Sequence, residues 1–215
     1  FRFPHNPYIP AEPFASMYDP ASIEMPSDTW EGMEGYIPQL DFDPKKGFNG
    51  LAARPALKYY QQLQSQYWGL MTQIDDAIGT ILKEVDLNNT LVLFFSDHGD
   101  YRGKRGRILK MPTVPFDAIS RVPYFAAGYG VPQGAMVENP VSLIDVGPTF
   151  LRAAGLDVPA DLDGHPLQDY FQDPKFGNNR SICCTAGGFH MVQVGKTKYF
   201  LSEDKQGEML FDLAS

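Results

Sequence analysis

Asp97 and His98 stand side by side where an apolar run ends, and a basic stretch follows them at once: Arg102, Lys104, Arg105, Arg107 and Lys110. A carboxylate next to an imidazole offers two of the ligand types that divalent cations accept. Such a cation acts as a Lewis acid on a sulfuryl or phosphoryl oxygen and lowers the pKa of a bound nucleophile. The cationic side chains just downstream suit an anionic substrate. Two ligands do not make a metal site, however, and an isolated Asp-His-Gly at a strand end is an ordinary turn. The third candidate, His5, lies between Pro4 and Asn6-Pro7, where prolines restrict the backbone on both sides and can hold an imidazole in a fixed orientation.

The elements around these residues explain how they would be presented. Leu91 to Phe95 are consecutive apolar residues that stop abruptly in Ser96, Asp97, His98 and Gly99, the pattern of a strand buried on both faces. In an open α/β sheet ligands bind beyond the carboxyl ends of the strands, which is where Asp97 and His98 would emerge. Upstream, Tyr60, Leu63, Tyr67, Leu70, Ile74, Ile78, Ile81 and Val85 recur at intervals of three or four, predicting one amphipathic helix from about Pro55 to Val85, roughly 45 Å long. Asp75 and Asp76 lie inside it without companion ligands and read as surface polar groups. Arg121 to Gly128 reads as a second buried strand, with Pro123 near its start or at an edge. Ser142 or Asp145 caps the next helix, and Gly155 stops it.

The flanks differ. Residues 1 to 50 are crowded with Pro, Gly and aromatic residues without sustained periodicity, and 156 to 179 also read as loop, including His165, which gains no role. Towards the end the period changes: Ile182 to Thr185, His190 to Val194 and Lys198 to Ser202 are short strand candidates separated by Gly-containing turns, forming a small antiparallel subdomain in which His190 is structural. The fold class expected is therefore α/β.

Composition removes several functions. The chain has 215 residues, 43% hydrophobic and 20% charged, with a net charge of −8. That is an ordinary globular composition, and its sign argues against nucleic acid as a partner. No apolar stretch approaches membrane-spanning length, so no membrane partner is expected. Cys183 and Cys184 are the only cysteines; adjacent residues do not meet disulfide geometry, so there is no disulfide framework. No signal peptide is visible, and Phe1-Arg2-Phe3 reads as the end of a strand whose beginning is missing. Cytoplasmic and periplasmic locations both stay open.

Taken together the motifs resemble the sulfatase family of the alkaline-phosphatase superfamily. The resemblance is carried by FPHNPY (Phe3 to Tyr8), by Tyr18-Asp19-Pro20 with Met25-Pro26, by IDDAIG (Ile74 to Gly79), by NTLVLFFSDHGD followed by Gly103, Gly106 and Lys110, and by Ser120 to Pro123. It continues through VSLIDVGPTFLRAAG (Val141 to Gly155), Asp163-Gly164 with Leu167, and MLFDL (Met209 to Leu213). It implies part of an alkaline-phosphatase-like sandwich, a mostly parallel central sheet flanked by helices. Residues 1–175 would be the C-terminal portion of the catalytic domain and 176–215 a small antiparallel subdomain.

The resemblance further implies that Asp97 and His98 are metal ligands, that His5 contacts the substrate's sulfate, and that Lys110 meets its anionic group through the intact spacing D-H-G-D-x-x-G-x-x-G-x-x-x-K. The implied metal is Ca2+, while the imidazole also suits Mn2+ or Zn2+. Gly103-Lys104-Arg105-Gly106, in place of the commoner G-x-H-G, is closer to choline-sulfatase-like members. The family's nucleophile is a formylglycine made from the cysteine of C-x-P-S-R. This sequence contains no such motif, and Cys183-Cys184-Thr185-Ala186 does not match it. The nucleophile is therefore expected from a missing N-terminal half of the same protein, and the chain is expected to be catalytically silent alone. The expected activity is metal-dependent hydrolysis of a small anionic sulfate ester. Hydrolysis of a phosphodiester or phosphonate monoester, and a non-catalytic relative, are the alternatives. A homo-oligomer is left open.

Overall fold

The computed structural model describes residues 1–26, 57–110, 113–173, 175–204 and 207–214. These fall into two compact units: Phe1–Val85 with Gly99–Thr113 and Asp117–Ile119, and Asp86–His98 with Val114–Phe116 and Ser120–Ser215. The readings placed on 27–56, including the helix start at Pro55, lie outside the described residues.

The first unit is built on helix α1, Leu57–Leu82. Its buried positions are Tyr60, Ser65, Gly69, Leu70 and Ile74, so the apolar stripe read from the sequence is interrupted by small residues, while Ile81 is exposed. Asp75 and Asp76 are exposed, as surface groups should be. The small residues are explained by the segment that crosses the helix, which carries two 3-10 turns, Phe14–Ser16 and Pro20–Ser22. A Cβ on Gly69 would lie 2.4 Å from the Phe14 carbonyl oxygen. No strand occurs among residues 1–26, so the expectation of a strand end at Phe1 to Phe3 is corrected. A segment without a ladder must satisfy its backbone elsewhere, and here α1 supplies the partners. Gln61 donates to the Ile23 carbonyl (3.0 Å), Ser65 to that of Tyr18 (2.7 Å) and Gln66 to that of Ala15 (3.1 Å), while Gln73 accepts from the Ala11 amide (3.2 Å). Tyr60 and Ile108 form a buried cluster with Met25, Leu63 and Leu109 packed against it.

In the second unit strand β1, Leu91–Phe95, pairs antiparallel with β2, Tyr124–Gly128, in the register Leu91↔Gly128 to Phe95↔Tyr124. The class is α/β, and the pairing seen between these two strands is antiparallel. Both strands are half-buried or exposed along their length rather than buried on both faces. The short helix α2, Asp117–Ser120, lies between them in sequence. Beyond them come α3, Val146–Ala153, and α4, Leu167–Gln172. The six residues of α4 fall in a stretch read as loop; a helix so short shows no sustained period, and it is fixed by burial of Leu167 and Tyr170.

The C-terminal part is a four-stranded antiparallel meander, β3 (Ser181–Ala186), β4 (Phe189–Val194), β5 (Thr197–Ser202) and β6 (Glu208–Asp212), in sequence order. The fourth strand was met in the sequence only as the MLFDL motif. Phe189, Met191, Phe200 and Met209 are the buried apolar residues of the meander, and Phe116 packs against Phe200 and Phe211 with ring centroids 5.4 and 6.2 Å apart. Lys198 shares the buried side at 4% exposure, its Nζ 3.4 Å from Ser120 Oγ.

A buried carboxylate ties this unit together. Asp145, fully buried, receives Arg180 through both oxygens (Nη1 to Oδ2 2.7 Å, Nη2 to Oδ1 2.8 Å) and also accepts the amides of Ser142 and His165 (2.8 Å each). Arg180 Nη1 also donates to the Tyr170 hydroxyl (2.7 Å), which donates to the Pro140 carbonyl (3.2 Å). Burial would lower the Arg180 pKa, but its bonds to Asp145 and Tyr170 outweigh this and raise it.

Candidate active site

Asp97 and His98 emerge directly beyond β1 in the second unit, where the sequence placed them. The Asp97 side chain is 86% exposed and that of His98 34%. Asp97 Oδ1 accepts the His98 amide at 3.0 Å, and Oδ2 lies 3.7 Å from His98 Nε2. Ser96 Oγ donates to the His98 carbonyl at 2.8 Å, fixing the turn. One carboxylate oxygen is thus used to orient the group, and the other converges with the imidazole nitrogen from a single strand end. Oxygen and nitrogen donors at this separation fit a shared divalent cation, as part of its donor set. Among the described residues no group of three or more His, Cys, Asp or Glu side chains is gathered as a metal site.

Gly99, next in the motif, belongs to the first unit. Its amide donates to the Ile119 carbonyl at 2.7 Å, and a Cβ there would fall 2.0 Å from the Ala118 carbonyl oxygen. The glycine is therefore demanded by close backbone approach.

His5 and Lys110 are both in the first unit. His5 is exposed, and its Nδ1 donates to the Asn6 carbonyl at 2.8 Å. That bond sets the tautomer: in the neutral ring Nε2 carries the lone pair. Lys110 is half-buried and closes a tightly bonded loop. Within this loop Tyr101 N donates to Leu109 O (2.8 Å), Gly103 N to Arg107 O (2.6 Å) and Arg107 N to Lys104 O (3.0 Å). Three side-chain-bearing residues, Arg102, Arg105 and Leu109, take positive φ (47°, 53° and 59°), and among the described residues no other non-glycine does. Left-handed backbone at non-glycine residues is unfavourable and has to be held by its surroundings.

What holds it was not readable beforehand. The Tyr8 hydroxyl donates to Asp100 Oδ2 at 2.5 Å, across 92 residues of sequence, and Asp100 Oδ1 accepts the Arg102 amide at 3.0 Å. Tyr8 meets Tyr67 edge to face (centroids 5.5 Å apart), and the Arg102 guanidinium lies 4.8 Å above the Tyr67 ring. With its amide oxygen turned to the donors, Gln64 accepts from Arg102 Nη1 (3.3 Å) and Trp68 Nε1 (2.6 Å). Burial, then the Asp100 charge, push the Tyr8 phenol far up; burial raises Tyr67 too, against the pull of Arg102. The sequence signal was present in part, since Tyr8 and Asp100 sit within FPHNPY and SDHGD, but nothing there pairs them.

The family model described as Sulfatase matches residues 4–156. The chain is 27% identical to an arylsulfatase of Clostridium perfringens over 99% of its own length and 46% of that protein's. It is 29% identical to the choline-sulfatase of Rhizobium meliloti over 74% of its own length and 31% of that protein's. It therefore spans less than half the length of these relatives. A phosphonate monoester hydrolase from Silicibacter pomeroyi superposes with a TM-score of 0.77 at 23% identity, covering 99% of this chain and 48% of the other, and shares its fold.

Proposed function

Because this chain belongs to the sulfatase family, we propose that it serves the metal-assisted hydrolysis of a sulfate ester, with Asp97 and His98 supplying part of the metal site and His5 and Lys110 part of the anion site. The observation that carries this reading is the convergence of Asp97 Oδ2 and His98 Nε2 to 3.7 Å at the end of β1, inside the family match. The cation, Ca2+ by family likeness or Mn2+ or Zn2+ by donor type, would polarise a sulfuryl oxygen. Asp97 is kept in orientation by its bond to the His98 amide. His5, its ring held through Nδ1, presents Nε2 as a donor to a sulfate oxygen when protonated. Lys110 places a point charge on the anion as negative charge develops on the leaving oxygen.

The reading assigns the nucleophile, a formylglycine, to a C-x-P-S-R segment that does not occur in these 215 residues. It follows that residues 1–215 alone should be silent, for want of an oriented nucleophile. The test is turnover by the intact protein of an aryl sulfate, an aryl phosphodiester and a phosphonate monoester, with and without a chelator, together with Asp97→Ala and His98→Ala. The reading expects sulfate turnover that falls on chelation and in both variants. Preferred phosphodiester or phosphonate cleavage would move the function to the superfamily's other ester hydrolases, whose tetrahedral substrates need the same cationic groups. No turnover of any of the three by metal-loaded protein would support a non-catalytic relative. A metal-bound structure with both side chains beyond coordination distance would remove them from the site.

A further inference from the structure

We propose that Tyr8 and Asp100 are positioning residues that hold the segment bearing His5 and the loop ending at Lys110 in one fixed arrangement. The inference rests on the reading of His5 and Lys110 as anion contacts. Neither segment is in a helix or strand where the joint forms, so side chains must fix them. Asp100 does so with both oxygens at once. Oδ2 takes the Tyr8 hydroxyl, three residues beyond His5, and Oδ1 takes the Arg102 amide, where the loop enters left-handed backbone at φ 47°. Tyr67 completes the arrangement, meeting Tyr8 in a T-shaped contact and carrying the Arg102 guanidinium over its ring. The Tyr8 phenol, half-buried beside a carboxylate, keeps its proton through the neutral and mildly alkaline range, so the bond runs one way only. A short bond from a phenol to a carboxylate is charge-assisted and about twice as strong as a neutral one.

The intact protein carrying Tyr8→Phe, Asp100→Ala or Asp100→Asn tests this. Tyr8→Phe keeps the ring contacts and removes only the hydroxyl. At a temperature where the variant is fully folded, kcat/KM for an aryl sulfate should fall between about 10- and 100-fold, the scale of a small misplacement of contacting groups. Asp100→Asn, whose amide oxygen still accepts one of the two bonds, should recover part of what Asp100→Ala loses. Hydrogen exchange should quicken together in residues 3–8 and 100–110 of the Tyr8→Phe protein. A bond that merely stabilised the fold would lower Tm and leave kcat/KM of the folded variant unchanged; that result, or unchanged exchange in the 100–110 loop, overturns the proposal. His5→Ala and Lys110→Ala are measured alongside. If both leave turnover intact, the anion-site reading fails, while exchange still decides whether Tyr8 and Asp100 couple the two segments.

Discussion

Among the described residues, aspartate, arginine and tyrosine are brought together in each unit, and the two groupings are built differently. In the second unit Asp145 has no exposure and the Arg180 side chain 10%; they face each other through paired bonds, with Tyr170 as an additional acceptor. Charge cancels charge away from water, and the backbone around it is conventional. In the first unit Asp100 binds Tyr8 and the Arg102 amide, while the Arg102 guanidinium lies over an aromatic face. There the carboxylate shapes a strained loop, and the arginine's charge is carried at an exposed position. The same residue types thus make a closed lock in one place and a frame for a cationic surface loop in the other. Of the two, the first-unit arrangement is the one that leaves its arginine at the surface.

Substitutions should separate the two. The largest effect is expected from Arg180→Ala, which leaves Asp145 buried and unpaired; removing one partner of a buried pair costs roughly 3 to 5 kcal/mol, read by denaturant unfolding. A loss of less than about 1 kcal/mol would erase the contrast by making the lock equivalent to a surface pair. Lys110→Ala in the intact protein should behave oppositely, raising the barrier for sulfate ester turnover by about 2 to 4 kcal/mol while the unfolding midpoint barely moves. Tyr170→Phe should cost about 1 kcal/mol, the scale of a hydrogen bond, since Arg180 keeps its carboxylate.

The smallest effect concerns pH. Tyr124, at the start of β2, is pushed up from 10.0 to about 12, by burial first and then by the Asp145 charge. A phenol whose folded pKa is raised favours the folded state below its ordinary pKa, and that contribution is lost as pH rises towards 12. Tyr124→Phe should therefore flatten the loss of stability in this alkaline window. Near-ultraviolet phenolate titration of Asp145→Asn should show Tyr124 ionising at lower pH; an unmoved transition would mean that burial alone sets it.

How much of this was readable depended on the range of the interactions. Helix α1 was visible because its apolar residues repeat at short intervals, and β1 because Leu91 to Phe95 are uniformly apolar. The presentation of Asp97 and His98 followed from that strand. By contrast, Asp145 and Arg180 are 35 residues apart and Tyr8 and Asp100 are 92 apart, and no local pattern selects one partner among many carboxylates. Lys198 shows the same limit, for strand alternation placed it in a strand but gave no reason for a buried ammonium. Ser65 and Gly69 were obscure for a related reason: their size is set by the segment that crosses α1, not by the helix itself.

The left-handed turns at Arg102, Arg105 and Leu109 bear on how this protein would respond to improvement. Each costs roughly 1 kcal/mol relative to glycine, so a screen for heat resistance should collect glycine or asparagine substitutions at these three positions. Such variants would survive heating better and lose the stiffness of the loop that ends at Lys110. A library selected on melting temperature and one selected on turnover should therefore diverge first within these eight residues.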